Sequence, residues 1–154
     1  MKIPVGKNKA WIAGLHEGLG RLEEKTRLEV MRASGSACAS DILALSGRML
    51  GREVASVADL VVGWNALRAS KGLTGSWQYD GNTVKGVFSE CGCPLVRSGL
   101  MALHPVQCYC SQGMMETIFS LAEGNPVEVI LRRTLGRGDE ACEFEVNLRP
   151  QSKH

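Results

Sequence analysis

The chain has 154 residues, the size of one ordinary domain, with 18 basic against 16 acidic side chains and a net charge of +2. That balance supplies no global field to recruit nucleic acid, and no apolar run is long enough to span a bilayer, so neither is an expected partner. Six cysteines would allow three bridges, but a core of this size needs no staples and no apolar leader follows the opening MKIPVGKNKA, so reduced thiols and a cytoplasmic location are expected.

Helices come first. Trp11, Ile12, Leu15, Leu19, Leu22, Thr26 and Val30 recur at helical spacing and predict one long amphipathic helix, weakened in its first half by Gly14, Gly18 and Gly20. Its charged residues, Arg21, Glu23, Glu24, Lys25 and Arg27, read as a solvated face. The small residues from Ala33 to Ala39, Cys38 among them, then break the pattern. Ser40 or Asp41 is placed to cap a short helix that turns Ile42, Leu45 and Met49 inward. Ser56 caps another, with Val57, Leu60, Val61, Trp64 and Leu67 on one face, ending near Lys71-Gly72.

The period then changes to two. Trp77 and Tyr79 alternate into Asp80-Gly81, a turn dipeptide, and the chain returns through Val84, Gly86 and Phe88 as the second strand of a hairpin. Ser111 is expected to cap a helix bearing Met115, Ile118, Phe119 and Ala122, stopped by Gly124, Asn125 and Pro126. Two strands follow, Val127 to Leu135 and Cys142 to Leu148, joined by Gly136-Arg137-Gly138-Asp139. In the last, Cys142, Phe144, Val146 and Leu148 alternate with polar residues, which makes Cys142 a core residue. Residues 150–154 are expected to fray. Helices gathered early and an antiparallel sheet late predict a single α+β domain over 1–154, with N-terminal helices packed on a C-terminal antiparallel sheet in two layers.

The chemistry points to the cysteines. Cys91-Gly92-Cys93 follows a strand, where residues at i and i+2 face one side, and Cys108-Tyr109-Cys110 precedes a helix, whose N-terminal N–H groups favour a thiolate. Four thiols brought together would make a soft-metal site, a redox relay or a nucleophile, whereas the bland alternative is four small buried hydrophobes. Cys-x-Cys departs from the usual two-residue spacing of zinc ligands. Cys38, at the helix break, is free to join. His104, between the pairs, is placed as a substitute ligand or a base, though an idle loop histidine is the commoner case; His16 reads as helix surface and His154 is terminal. Arg132, Arg133 and Arg137 are a minor candidate for a carboxylate clamp. Gly6-Lys7 and Gly18-x-Gly20 lack the remaining glycines of phosphate loops.

From residue 84 onward the order of elements resembles a known family. A strand into Cys91-Gly92-Cys93-Pro94, a Cys108-Tyr109-Cys110-Ser111-Gln112-Gly113 entry to a helix, a Gly124-Asn125-Pro126-Val127 turn, and Gly136-Arg137-Gly138-Asp139 leading to Cys142-Glu143-Phe144-Glu145-Val146 are similar to the 4-vinyl reductase type of small-molecule-binding domain. They are similar also to its L-2-amino-thiazoline-4-carboxylic acid hydrolase-like relatives. The helical half matches by layout only, with a Gly-x-x-Cys-Ala element at Gly35 to Ala39. The resemblance implies helices packed on an antiparallel sheet, a ligand pocket between them, and zinc as a cofactor at nearby cysteines, with Cys91, Cys93, Cys108 and Cys110 at the cysteine-rich positions. Gly138, Asp139, Cys142 and Phe144 match its closing strand.

Two functions follow from these residues. In the first, the protein is a binding or sensing module for a small apolar molecule, with a pocket lined by Trp64, Phe88, Met114 and Met115 beside a zinc-holding cysteine site. In the second, it is a cysteine-dependent hydrolase or thiol redox enzyme acting on a carbonyl or C=N compound. Binding is preferred, since spacing alone assembles no acid, base and nucleophile. The expected partner is a small-molecule ligand, and a homodimer stays open.

Overall fold

The computed structural model of the chain describes residues 5–149. Five helices run α1 Val5–Gly20, α2 Glu24–Leu50, α3 Val57–Ser70, α4 Pro94–Arg97 and α5 Gln107–Glu123; the strands are β1 Ser76–Tyr79, β2 Thr83–Phe88, β3 Glu128–Arg133 and β4 Cys142–Asn147. The strands form one antiparallel sheet in the order β1-β2-β4-β3. The expected α+β class is therefore the observed one.

Local chemistry accounts for several elements. Ser56 Oγ accepts from the Asp59 N–H at 3.1 Å and starts α3, while the Asp59 carboxylate takes two bonds from Arg52 at 2.6 and 2.7 Å. Between β1 and β2, Asp80 Oδ1 accepts from the N–H groups of Asn82 and Thr83, and Gly81 takes the left-handed φ of 100° that the turn requires.

The inner face of the sheet carries Trp77, Val84, Phe88, Val129, Phe144 and Val146, with Gly86 paired to both Trp77 and Phe144. Helices α3 and α5 cover that face with Leu60, Trp64, Met115, Ile118 and Phe119, and α2 packs along α5 and against α3. The outer face is polar and laced by Arg133–Glu143 and Arg132–Glu145 pairs at 2.9 and 3.2 Å. Two of the three arginines considered as a carboxylate clamp are thus engaged across strands. The third, Arg137, lies over the Tyr109 ring.

The helical half differs from expectation. The long helix predicted from Trp11 to Val30 ends at Gly20, and α2 begins at Glu24 and runs unbroken through Ala33–Ala39, where a break was expected. The small residues there mark close contact between helices. A Cβ on Gly35 would overlap the Cys110 carbonyl oxygen, and one on Gly113 would lie 2.5 Å from Arg32 Cα. The buried positions of α2 are accordingly Met31, Gly35, Ala39, Ser46 and Gly47, leaving Met49 exposed, with Ile42 and Leu45 only part-buried. In α1 the inward residues are Leu19 and His16, the latter expected on the surface, while Trp11 and Leu15 are exposed. Helix α5 starts one turn before Ser111, so both cysteines of the second pair lie inside it. The expected fraying of residues 150–154 falls outside the described residues.

Candidate functional site

The site lies where α3, α5 and the sheet meet the segment joining β2 to α5. Asn65 of α3 clamps β1: its Oδ1 accepts from the Trp77 N–H at 2.7 Å, and its Nδ2 donates to the Trp77 carbonyl at 2.9 Å. The Trp77 ring is held within an aromatic cluster, with ring centroids 5.2 Å from Trp64, 5.0 Å from Phe88, 5.3 Å from Phe119 and 6.0 Å from Phe144. Each such contact adds about 0.5–1.5 kcal/mol beyond the area it buries. Gly86 makes room for it, since a Cβ there would lie 2.7 Å from Trp77 Cε3 and 2.6 Å from Phe88 Cε2. At the centre of this cluster the Trp77 indole Nε1–H is buried without a hydrogen-bond acceptor. A buried indole N–H ordinarily finds a partner.

The four residues expected to line a pocket fall in this region. Trp64, Phe88 and Met115 are buried members of the core cluster, and Met114 packs at its edge. They close-pack. A separate open pocket of ≈ 490 Å³ is bounded by Leu43, Gly47, Arg48, Arg52 and Val54, at the α2–α3 connection away from the cysteines.

The thiols divide into two neighbourhoods. Cys91 and Cys93 sit beyond the end of β2, and Cys93 precedes Pro94 at the start of α4. In a helix, residues two apart point to nearly opposite sides, so Cys108 and Cys110 diverge. Cys108 is buried, donates to Thr134 Oγ1 at 3.0 Å, and lies against Gly136, where a Cβ would meet its Sγ at 3.1 Å. Cys110 turns the other way, and burial, reinforced by Cys38, Cys93 and Cys91, pushes its thiol up to about 11. Burial likewise raises Cys38, Cys91 and Cys142, with Cys93 adding to the first and Cys108 to the third, while at Cys91 a backbone hydrogen bond from Cys93 opposes the rise. The helix terminus does not leave Cys110 a ready thiolate. Among the described residues, no three His, Cys, Asp or Glu side chains are grouped to hold a metal ion. Cys142 is half-buried, opposite Phe88 in register, and its Sγ accepts from the Leu135 N–H at 3.3 Å.

His104 has a task other than ligation or base catalysis. Its Nδ1 accepts from the Val106 N–H at 3.2 Å, its ring centroid lies 5.5 Å from that of His16, and Nε2 stands 3.8 Å from Glu17 Oε1. It docks α1 onto the segment before α5.

Arg68, one turn after Trp64 on α3, was not singled out by the sequence. It is only 8% exposed, its guanidinium carbon lies 4.0 Å from the Phe88 ring centroid, and Nη2 donates to the Thr74 carbonyl at 2.8 Å. Burial lowers its pKa. A basic residue in the last turn of a helix ordinarily reads as a surface partner of the helix dipole, and no local pattern distinguishes this one.

No family model matches the chain, and no curated protein matches it. Among solved structures, the chain is similar to the phenol-responsive sensory domain of the transcription activator PoxR with phenol, at 17% identity and a TM-score of 0.58, over 96% of this chain and 75% of that one. It is similar also to a trafficking protein particle complex subunit 3 from Naegleria fowleri covalently bound to palmitic acid, at 14% identity and a TM-score of 0.58, over 97% of both chains. At such identities the likeness establishes the fold: helices on a four-stranded antiparallel sheet. No helix among the described residues is long and apolar enough to cross a membrane.

Proposed function

We propose that the chain is a small-molecule-binding sensory domain whose ligand is a small aromatic or apolar compound anchored by the Trp77 indole N–H. The observation that carries this reading is the unpartnered donor itself, buried at the centre of the aromatic cluster. Leaving such a group unpaired costs about 1–3 kcal/mol, which a ligand oxygen accepting that bond would recover. The shared fold with a phenol-responsive sensory domain supports the same ligand class. Because the rings close-pack, entry needs local rearrangement, and the unbranched Met114 and Met115 beside the cluster suit an adaptable wall.

Zinc belongs to this proposal as a structural adjunct. It would require rearrangement of the segment between β2 and α5, because Cys38, Cys91, Cys93 and Cys110 are not grouped to hold a metal ion in this structure and Cys108 is turned to Thr134. Bound there, zinc would replace the thiol protons and stiffen the segment between β2 and α5. The raised thiols of Cys38, Cys91, Cys110 and Cys142 disfavour a cysteine nucleophile, which needs a lowered pKa, and for the same reason zinc would have to displace their protons.

Phenol is the simplest probe. Titrated into the full chain, it is expected to raise the melting temperature and quench tryptophan emission saturably, with both effects lost in Trp77→Phe. Absence of any saturable response to phenol, toluene and indole would refute the reading.

A further inference from the structure

The geometry points to Arg68 as an anion-recognition site, so that the ligand carries a carboxylate. This rests on the proposed small-molecule binding and specifies which chemistry that ligand presents.

Arg68 is a permanently charged side chain taken out of water without a counter-ion. It forms no salt bridge, since the pairs found among the described residues engage Arg32, Arg52, His104, Arg132 and Arg133. Among the described residues its Nε is buried with no hydrogen-bond partner, and its one protein bond runs from Nη2 to the Thr74 carbonyl. Glu90 is the one carboxylate that acts on it, and Glu90 Oε1 is already held by the Thr74 N–H at 2.7 Å and the Thr74 hydroxyl at 2.9 Å. Arg97 adds a second positive charge from α4.

The surroundings fit a planar oxyanion on an apolar body. Phe88 stacks on one face of the guanidinium and fixes its plane. Nη1 lies beside Gly92, where a Cβ would stand 3.0 Å from it and 3.8 Å from Leu73 Cδ1, so any side chain at that position would crowd the guanidinium. Nε and Nη1 make no hydrogen bond among the described residues, which leaves the guanidinium donors for carboxylate oxygens, a strong and orientation-specific pairing. The Phe88 ring under the guanidinium is also 5.0 Å from the Trp77 ring, so Arg68 borders the cluster that holds the unpaired indole.

The test uses the full chain with benzoate against its neutral isostere benzamide and against phenol. Benzoate should bind at least about tenfold more tightly than benzamide and lose that advantage in Arg68→Met and Arg68→Gln, checked for unchanged far-ultraviolet circular dichroism. A measurement on the unmodified protein guards against unfolding of the variants: the Arg68 Nε–H resonance should move on adding benzoate and stay put with benzamide. Equal binding of benzoate and benzamide, or a stationary Arg68 resonance at benzoate saturation, overturns the anion site while phenol binding keeps the broader reading. Failure of benzoate, benzamide and phenol alike overturns both.

Discussion

Gly35 of α2 rests directly on the carbonyl oxygen of Cys110 in α5, so closely that a Cβ at position 35 would overlap that oxygen and lie 2.8 Å from Met114 N. Gly113 returns the contact, its position leaving only 2.5 Å between a Cβ and Arg32 Cα. These two glycines let the helix backbones touch, and Cys38, one turn beyond Gly35, is thereby brought near Cys110. Because both clashes are with backbone, no side chain can rotate away.

Gly35→Ala is therefore expected to destabilise the protein by about 3 kcal/mol, the upper end for overpacking, despite the better helix propensity of alanine. Gly18→Ala, where a Cβ meets nothing within 4 Å, should instead be neutral or slightly stabilising. Denaturation midpoints of the two variants check this, and equal stability would show that the helices do not touch there.

Acid should loosen the attachment of α1. His16 is buried against His104, and burial first, then the His104 charge, lowers its pKa from 6.5. A lowered histidine pKa means the unfolded chain binds the proton more readily. Stability is thus fully present above pH 6.5 and is lost as pH falls through the lowered value. Chemical denaturation across this interval should show that slope, and His16→Gln should flatten it.

Cys142 should prove structural. Its side chain packs at the edge of the core opposite Phe88 and accepts one backbone N–H. Cys142→Ala or Cys142→Val should cost at most about 1.5 kcal/mol and leave phenol and benzoate binding nearly unchanged. Loss of binding in a stably folded variant would move this thiol into the site.

Zinc content separates the cysteines. Any zinc carried by protein purified without chelator should be lost in Cys110→Ser and Cys93→Ser and retained in Cys108→Ser, since Cys108 is committed to Thr134. Metal-free protein with full ligand affinity would leave the thiols as core residues.

Much of the fold was legible from local chemistry. The Ser56 cap, the Asp80-Gly81 turn and the alternation from Cys142 to Leu148 each depend on residues within a few positions of one another, and each forms as read. The helical half was not legible in the same way. Ala33–Ala39 looks like a break because its residues are small, yet smallness is what α5 requires, and only the tertiary contact shows it. The start of α5 at Gln107 rather than near Ser111 reverses the meaning of Cys-x-Cys, from converging thiols to diverging ones. At the site, Trp64, Phe88 and Met115 are neighbours of one cluster, whereas Trp77 and Arg68 gain their interest from an unmade bond, which no spacing records.

The central claim is that the buried Trp77 indole N–H anchors a small ligand, and its proton resonance reports on that bond directly. In ¹⁵N-labelled protein titrated with phenol, the Trp77 Nε1–H signal should shift downfield and saturate with the same affinity as the rise in melting temperature, while the Trp11 indole signal stays still. A Trp77 signal that remains stationary while the ligand binds would place the ligand elsewhere and contradict the account.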